Sequence, residues 1–304
     1  MEKNIEFLIE MLKEQYGIEL ANKIIEGYTK QRVLTFRVNT LKSDVKKVED
    51  KLKQEKVEYE KTQWNSNAFI IKNASKKEIQ ELDIYKNGEI YIQSLSSMLP
   101  PIILEPQEKA DILDMTAAPG GKTTEMAALS GNKAHITACE KSKIRAERLK
   151  YNVNKQGAFS VFIMEKDARY IDDFFSFDQI LLDAPCSGSG TLNINNNNIK
   201  NKFTKELVKK STISQLELLK KAIKILKPGK EMVYSTCSIL ACENEEIVKN
   251  ILDNKNIEIV PINFKGIESI PLLPTKIDGT LCVCPNELYE GFFVAKIRKN
   301  RREN

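Results

Sequence analysis

From Ala110 onward, short apolar runs alternate with amphipathic stretches long enough to be helices, and this rhythm constrains the fold more than any other feature. Ile112–Met115 reads as a strand and Gly121–Leu129 as a helix; strand Ala134–Cys139 is followed by helix Lys141–Gln156. Strands Val161–Met164 and Gln179–Asp183 come next, then a long helix over Thr204–Leu226, strand Glu231–Ser235 and helix Asn244–Leu252. Strands separated by helices of about ten or more residues imply an α/β fold with a parallel sheet covered on both faces. Leu281–Cys284 and Phe292–Ile297 predict a late hairpin that adds an antiparallel edge. The preceding residues read differently. Residues 2–30 carry helical periodicity, ending near Gly27. Val33–Val38, Ala68–Ile71 and Glu89–Ile92 are strand-like and Asp44–Gln54 is helical, making a small α+β unit. Leu95–Leu104, interrupted by Pro100-Pro101, reads as a connection. The predicted division is a domain at 1–93 and a larger one at 94–304.

Composition narrows the chemistry. The chain has one histidine, His135, and six cysteines in 304 residues. A multi-histidine metal site cannot be built, and a Ser–His–Asp or Cys–His device would have to use His135. No metal is expected. Cys139, Cys186, Cys237, Cys242, Cys282 and Cys284 show no C-x-x-C spacing, and free thiols point to a reducing cytoplasm. Cys282-x-Cys284 lies on alternate strand positions without partners, which favours a structural role. The N-terminus lacks a secretory apolar core, and runs such as Ile180–Leu182 are far too short to span a bilayer. The net charge is +5, but ten lysines against two glutamates lie between Lys200 and Lys230. Lys296, Arg298, Lys299, Arg301 and Arg302 crowd the last nine residues. Such patches can displace counterions from a nucleic-acid backbone, although charge alone favours a solvated helix face and a frayed end.

The loop after the first strand of the larger region, Asp114-Met-Thr-Ala-Ala-Pro-Gly-Gly-Lys-Thr-Thr124, leads into a helix N-terminus. Gly121-Lys122-Thr123 fits the end of a P-loop, but the first glycine would fall at Thr116, and the dinucleotide fingerprint is absent. What remains is a nucleoside-type ligand at the carboxyl ends of the strands. Glu140 closes the second strand, where a carboxylate can hold a ribose diol, and Asp167 follows the third, placed for a base edge. A nucleoside cradle without a phosphate grip suits S-adenosylmethionine. The cofactor set is Ala117, Ala118, Pro119, Gly120, Gly121, Lys122, Thr123, Glu140, Asp167 and Asp183. Each carboxylate alone could be a helix cap; three such features in order point to a cradle.

The fourth strand runs into Asp183-Ala-Pro-Cys-Ser-Gly and the fifth into Ser235-Thr-Cys-Ser238. Neighbouring strands would bring Cys186 and Cys237 side by side, past the strand ends among Pro, Ser and Gly, whereas Cys139 reads as core. Together with Thr116-Ala-Ala-Pro-Gly-Gly-Lys-Thr, these segments resemble the signature of the Sun-type RNA cytosine-C5 methyltransferases, the RsmB/RsmF-like (NSUN) family. Phe36-Arg-Val-Asn-Thr-Leu-Lys42, Tyr91-Ile-Gln93 and Gly291-Phe-Phe-Val-Ala295 extend the resemblance over most of the chain. It implies a Rossmann-like S-adenosylmethionine-dependent catalytic domain behind a small N-terminal RNA-binding unit, acting as a monomer on ribosomal or transfer RNA. It further implies that Cys237 adds to cytosine C6, Cys186 assists release, Asp183 grips the base edge, and Lys122 reaches into the pocket. The basic stretch at 200–230, the Arg37-bearing unit and the C-terminal tail would contact the RNA backbone; Trp64 and Tyr85 could stack on bases, though core positions suit them better. Three departures stand out: Thr116 replaces a usual cysteine, Lys230 a usual glycine, and Leu192–Lys200 is asparagine-rich where relatives have arginines and an aromatic. A P-loop-like NTPase, or a non-catalytic RNA-binding assembly factor on the same scaffold, are the competing readings.

Overall fold

The computed structural model describes residues 2–194, 203–253 and 256–301. They form two compact units, one of Met1–Arg32, Leu182–Ile262 and Ile270–Asn304, the other of Val33–Leu181 and Asn263–Ser269. Helix α1 (Glu2–Thr29), in the first unit, is broken at Gly17, whose φ of 76° lies outside the helical region. Leu8, Leu12, Ala21, Ile24 and Tyr28 recur at helical spacing and are all buried.

The second unit opens with four antiparallel strands, β1 (Thr35–Val38), β2 (Tyr59–Lys61), β3 (Ala68–Ile71) and β4 (Ile90–Ile92), in the order β2-β3-β1-β4. Helix α2 (Val45–Gln54) starts where the Asp44 side chain accepts from the Lys47 N–H, and it buries Val48 and Leu52. Helix α3 (Lys76–Glu81) begins in a Ser75–Glu78 capping box and runs into the short α4 (Asp83–Lys86). Phe36 and Phe69 stack at 5.2 Å in the centre of this sheet's core, each contributing roughly 2–3 kcal/mol through burial. Strand β2 and helix α3 were not anticipated, being short and largely polar.

The connection Leu95–Leu104 is helix α5, and it contains both Pro100 and Pro101. A proline at 101 removes the N–H that would reach the Ser97 carbonyl. That carbonyl instead accepts from Gln93 Nε2 at 3.1 Å, which compensates the donor lost at Pro101. The expected alternation follows: β5 (Asp111–Asp114), α6 (Gly121–Leu129), β6 (His135–Cys139), α7 (Lys143–Gln156), β7 (Val161–Met164) and β8 (Phe177–Asp183). β8, β5, β6 and β7 pair in parallel in that order, with Ile112 opposite both Gln179 and Ile136, and Ile136 opposite Val161. The last two residues of β8 are counted with the first unit.

In the first unit, α8 (Lys205–Ile225) leads into β9 (Leu226–Thr236), then α9 (Glu245–Leu252), β10 (Ile257–Val260), β11 (Leu272–Leu273), β12 (Leu281–Val283) and β13 (Phe292–Lys299). β13 runs antiparallel to β9, β10 and β12, so the expected late hairpin is present. Val208, Ser211, Gln215, Leu218, Leu219, Ala222 and Ile225 form the buried stripe of α8, while Lys205, Lys209, Lys210, Lys220 and Lys224 are exposed. The architecture is mixed α/β, with a Rossmann-like parallel sheet. Among the described residues no helix is long and apolar enough to cross a membrane.

Candidate active site

Two groups of side chains, one in each unit, stand at the strand ends that the sequence singled out. In the second unit, β5 ends at the buried Asp114, whose Oδ2 accepts from the Thr123 hydroxyl at 2.7 Å. Thr123 is fully buried, so its hydroxyl serves the loop rather than a ligand. The intervening loop is tied on both sides. The Ala117 N–H donates to Cys139 O at 2.9 Å; Arg145 Nη2 donates to Ala118 O at 2.7 Å, and Asn152 Nδ2 to Pro119 O at 2.8 Å. Gly120 has a φ of +108°, and a Cβ there would lie 3.0 Å from Leu149 Cδ1. Glycine is required for the loop to lie this close to α7. Lys122 donates from Nζ to Ser97 Oγ at 2.8 Å.

Glu140 closes β6 with 4% of its surface exposed. One carboxylate oxygen accepts from the Ser142 N–H at 2.8 Å and the other pairs with Arg145 at 3.2 Å. A carboxylate offers about four lone-pair sites, so these two contacts leave acceptor capacity of the kind a ribose diol uses. Arg145 thus joins the glycine loop to Glu140, a link that sequence reasoning missed because it depends on which helix face packs behind the loop. Asp167 is engaged differently. It caps the turn Ala168–Tyr170 through the Arg169 N–H, and it grips the Arg169 guanidinium at 2.6 Å. The Arg169 hydrogen bonds hold its carboxyl below the usual carboxylate range. With a buried carboxylate, a glycine-shaped loop and no glycine at position 116 for a phosphate grip, the residues fit an adenosine-type cofactor without phosphates.

In the first unit, Asp183 Oδ1 at the end of β8 accepts from Ser235 Oγ at 2.8 Å, and the Ala184 N–H donates to Ser235 O at 2.8 Å. This aligns the two segments so that the Cys186 and Cys237 sulfurs lie 3.2 Å apart, both half-buried. The hydrogen bond to Cys237, with burial behind it, pushes the Cys186 thiol well above its ordinary value. That direction keeps Cys186 protonated at neutral pH. The loop closes against the last strand: Gly190 donates to Cys237 O at 3.0 Å and accepts from the Gly291 N–H at 2.8 Å. A Cβ on Gly190 would lie 1.9 Å from Gly291 O, which explains the glycine. Gln15 and Tyr16 of α1 both donate to Ile239 O, two residues beyond Cys237.

Several expected participants lie elsewhere. Arg37 is buried, 2% exposed, where it donates to Gln93 Oε1, Thr124 Oγ1 and Gly121 O. It braces α6 from within and cannot itself touch an RNA backbone. Trp64 is a core residue. His135 is exposed beside Asp111, while Cys139, Cys282 and Cys284 are buried. Residues 195–200 of the asparagine-rich loop, Lys200 and Lys202 of the basic stretch, and residues 302–304 of the tail lie outside the described residues.

The family model described as 16S rRNA methyltransferase RsmB/F matches residues 101–298, and a ferredoxin-like domain of RsmF/B-like methyltransferases matches residues 6–77. The chain belongs to the RsmB/F methyltransferase family. A ribosomal RNA small subunit methyltransferase F of Shewanella piezotolerans is 35% identical over 273 residues, covering 87% of this chain and 57% of the relative. This RsmB/F chain therefore spans little more than half the length of that relative. A tRNA (cytosine(49)-C(5))-methyltransferase of Pyrococcus abyssi is 35% identical over 278 residues, covering 88% of each. Among solved structures, a methyltransferase homologue from Pyrococcus horikoshii is 34% identical with a TM-score of 0.81, covering 94% of this chain and 92% of that one. NSun6 from Pyrococcus horikoshii, solved with the S-adenosylmethionine analogue SFG, is 26% identical with a TM-score of 0.84, covering 97% and 98%.

Proposed function

We propose that this RsmB/F chain methylates C5 of a cytosine in ribosomal or transfer RNA through a covalent adduct. The observation that carries this reading is the pair of sulfurs 3.2 Å apart on segments joined by the Ser235–Asp183 hydrogen bond. Cytosine C5 is too weak a nucleophile to take a methyl group unaided. Cys237, having lost its proton, attacks C6 as the thiolate, forming a carbon–sulfur bond and pushing the electron pair of the C5–C6 double bond onto C5. Asp183 holds the N3/N4 edge of the ring and stabilises the protonated base. Bound S-adenosylmethionine would supply the electrophilic methyl group that the activated C5 attacks. A base then takes the C5 proton, the carbon–sulfur bond breaks, and the electron pair returns to Cys237. Cys186, kept as the thiol, donates its proton toward the departing sulfur. Glu140 and the loop Ala117–Thr123 hold the cofactor's nucleoside, with Asp167 at the base edge and Lys122 reaching the substrate or cofactor. The target base must leave its stack to be reached, and residues 1–93 act as an RNA-binding region in front of a catalytic region at 94–304. The enzyme works as a monomer in a reducing cytoplasm, where both thiols stay free.

The test follows the two thiols separately. Cys237→Ala abolishes tritium transfer to RNA. Cys186→Ala retains adduct formation and accumulates an RNA–protein species that survives a denaturing gel. Full transfer by Cys237→Ala, together with no adduct from Cys186→Ala, would overturn the assignment.

A further inference from the structure

The serine that follows each thiol is gripped by the same buried carboxyl group. Glu243 is completely buried on the turn Ala241–Glu243, just before α9. One of its oxygens accepts from the Ser187 backbone N–H at 2.7 Å and from Gln215 Nε2 at 3.3 Å. The other accepts from Ser187 Oγ and from Ser238 Oγ, both at 2.5 Å. Gln215, on α8, also donates to Pro185 O at 2.9 Å, so the residues on both sides of Cys186 are held. Ser238 Oγ in turn meets Ser189 Oγ at 2.8 Å and receives the Leu240 N–H. A buried carboxyl group is costly unless its lone pairs are met by donors, and here all four contacts run into it. Removing it would take an acceptor from three donors in the loops that carry the thiols and from Gln215 on α8.

We propose that Glu243 is a positioning residue that sets the separation of the Cys186 and Cys237 sulfurs by gripping the serine after each. It touches neither cofactor nor base. Through that separation it governs how efficiently Cys237 forms the adduct and Cys186 assists its breakdown, a consequence that rests on the two-thiol reading above. Its negative charge also contributes, behind Cys237 and burial, to holding the Cys186 thiol protonated.

Geometry can be read without RNA. Diamide takes two electrons and two protons from a thiol pair, becoming a hydrazine while the sulfurs join, so its rate of closing the Cys186–Cys237 disulfide reports their approach. Glu243→Ala should close this disulfide at least 10-fold more slowly than the wild type. With RNA from cells lacking the gene, its kcat should fall at least 10-fold while KM for RNA stays within about threefold. Glu243→Gln should recover most of both. Its amide oxygen still accepts from Ser187 N–H, and its NH₂ can donate to the two serine hydroxyls, which then reverse direction. Wild-type closure and wild-type kcat in Glu243→Ala would overturn the proposal. Should Glu243→Ala fail to fold, Ser238→Ala leaves the carboxyl group in place but removes its link to the Cys237 loop. Closure slowed threefold or more supports the proposal, and an unchanged rate overturns it. If Cys237→Ala transfers methyl groups normally, the two-thiol reading fails, and the diamide rates still decide the role of Glu243.

Discussion

Burying a carboxyl group costs several kcal/mol unless its surroundings compensate, and this chain does so in two ways. Glu243 is surrounded by donors. Glu125, fully buried in the second unit, accepts from Gln93 Nε2 at 2.8 Å and lies 3.7 Å from Arg37 Nε, yet burial outweighs Arg37 and pushes its carboxyl up to about 7. The folded value lies above the ordinary 4.5, so the native state binds this proton more tightly than the unfolded chain. Its contribution to stability is complete below pH 4.5 and is lost as pH rises toward 7, a change on the order of 3 kcal/mol at most. Glu125→Gln removes that dependence while keeping an acceptor for Gln93. The stability of Glu125→Gln relative to wild type should therefore increase between pH 5 and pH 7 and level off above it, measured as urea midpoints at unit steps of pH. A relative stability that stays flat over the same interval would mean that Arg37 holds Glu125 ionised throughout. Legibility at this scale followed sequence neighbourhood. Cys186, Cys237, Asp183 and Glu140 could be singled out as candidates because each lies at or just past a strand end, among small or polar residues. The bracing roles of Glu243, Arg145 and Gln93 were not legible, because each joins a sequence neighbour to a group far away in the chain (Ser187, Ala118 and Glu125 respectively), and Glu243 sits in the acidic run Glu243-Asn-Glu-Glu246 that reads as an ordinary first turn of a helix.

At the scale of elements, the long periodic segments could be read directly, while short ones depended on tertiary partners. α8 and the parallel strands announced themselves by period and apolar content. α5 did not, because a Pro-Pro pair normally ends a helix, and only the Gln93 side chain shows where the orphaned Ser97 carbonyl goes. α8 also carries the clearest charged face. Its buried stripe is continuous, so its lysines decorate a rigid rod rather than a loop. Lys209 and Lys210 are adjacent and exposed on it. If this face tracks an RNA backbone, each lysine releases counterions, and single-stranded contacts contribute about 0.7 to the salt slope apiece. Lys209→Gln/Lys210→Gln should thus flatten the plot of log K against log salt by about 1.4 without altering which RNA is preferred. Filter binding from 50 to 200 mM salt measures it; an unchanged slope would place the RNA away from α8.

For the whole molecule, the proposed function demands that a single chain recognise a phosphate-free nucleoside cofactor while carrying a mild net charge of +5. The opposing nucleotide reading, an NTPase, would need backbone N–H groups and a lysine converging on phosphates. Here Ala118 O and Pro119 O are turned onto Arg145 and Asn152, Lys122 is directed to Ser97, and Thr123, where a magnesium ligand would sit, is committed to Asp114. Those contacts predict a ligand preference that requires no RNA and no turnover. A ligand that binds only the folded state stabilises it by about 2.7 kcal/mol at 100 times its Kd, equivalent to a rise of roughly 5 °C in Tm for a chain of this size. S-adenosylhomocysteine should produce that rise, whereas ATP with magnesium at the same concentration should produce less than about 1 °C. Glu140→Ala should erase most of the S-adenosylhomocysteine shift, since the proposed anchor for the ribose diol is gone. Arg145→Ala should reduce it partially, by freeing the Ala118 carbonyl and the Glu140 carboxylate that it now joins. An ATP shift equal to that of S-adenosylhomocysteine, or an S-adenosylhomocysteine shift untouched by Glu140→Ala, would dismantle the cofactor assignment while leaving the thiol pair to be tested by its own chemistry.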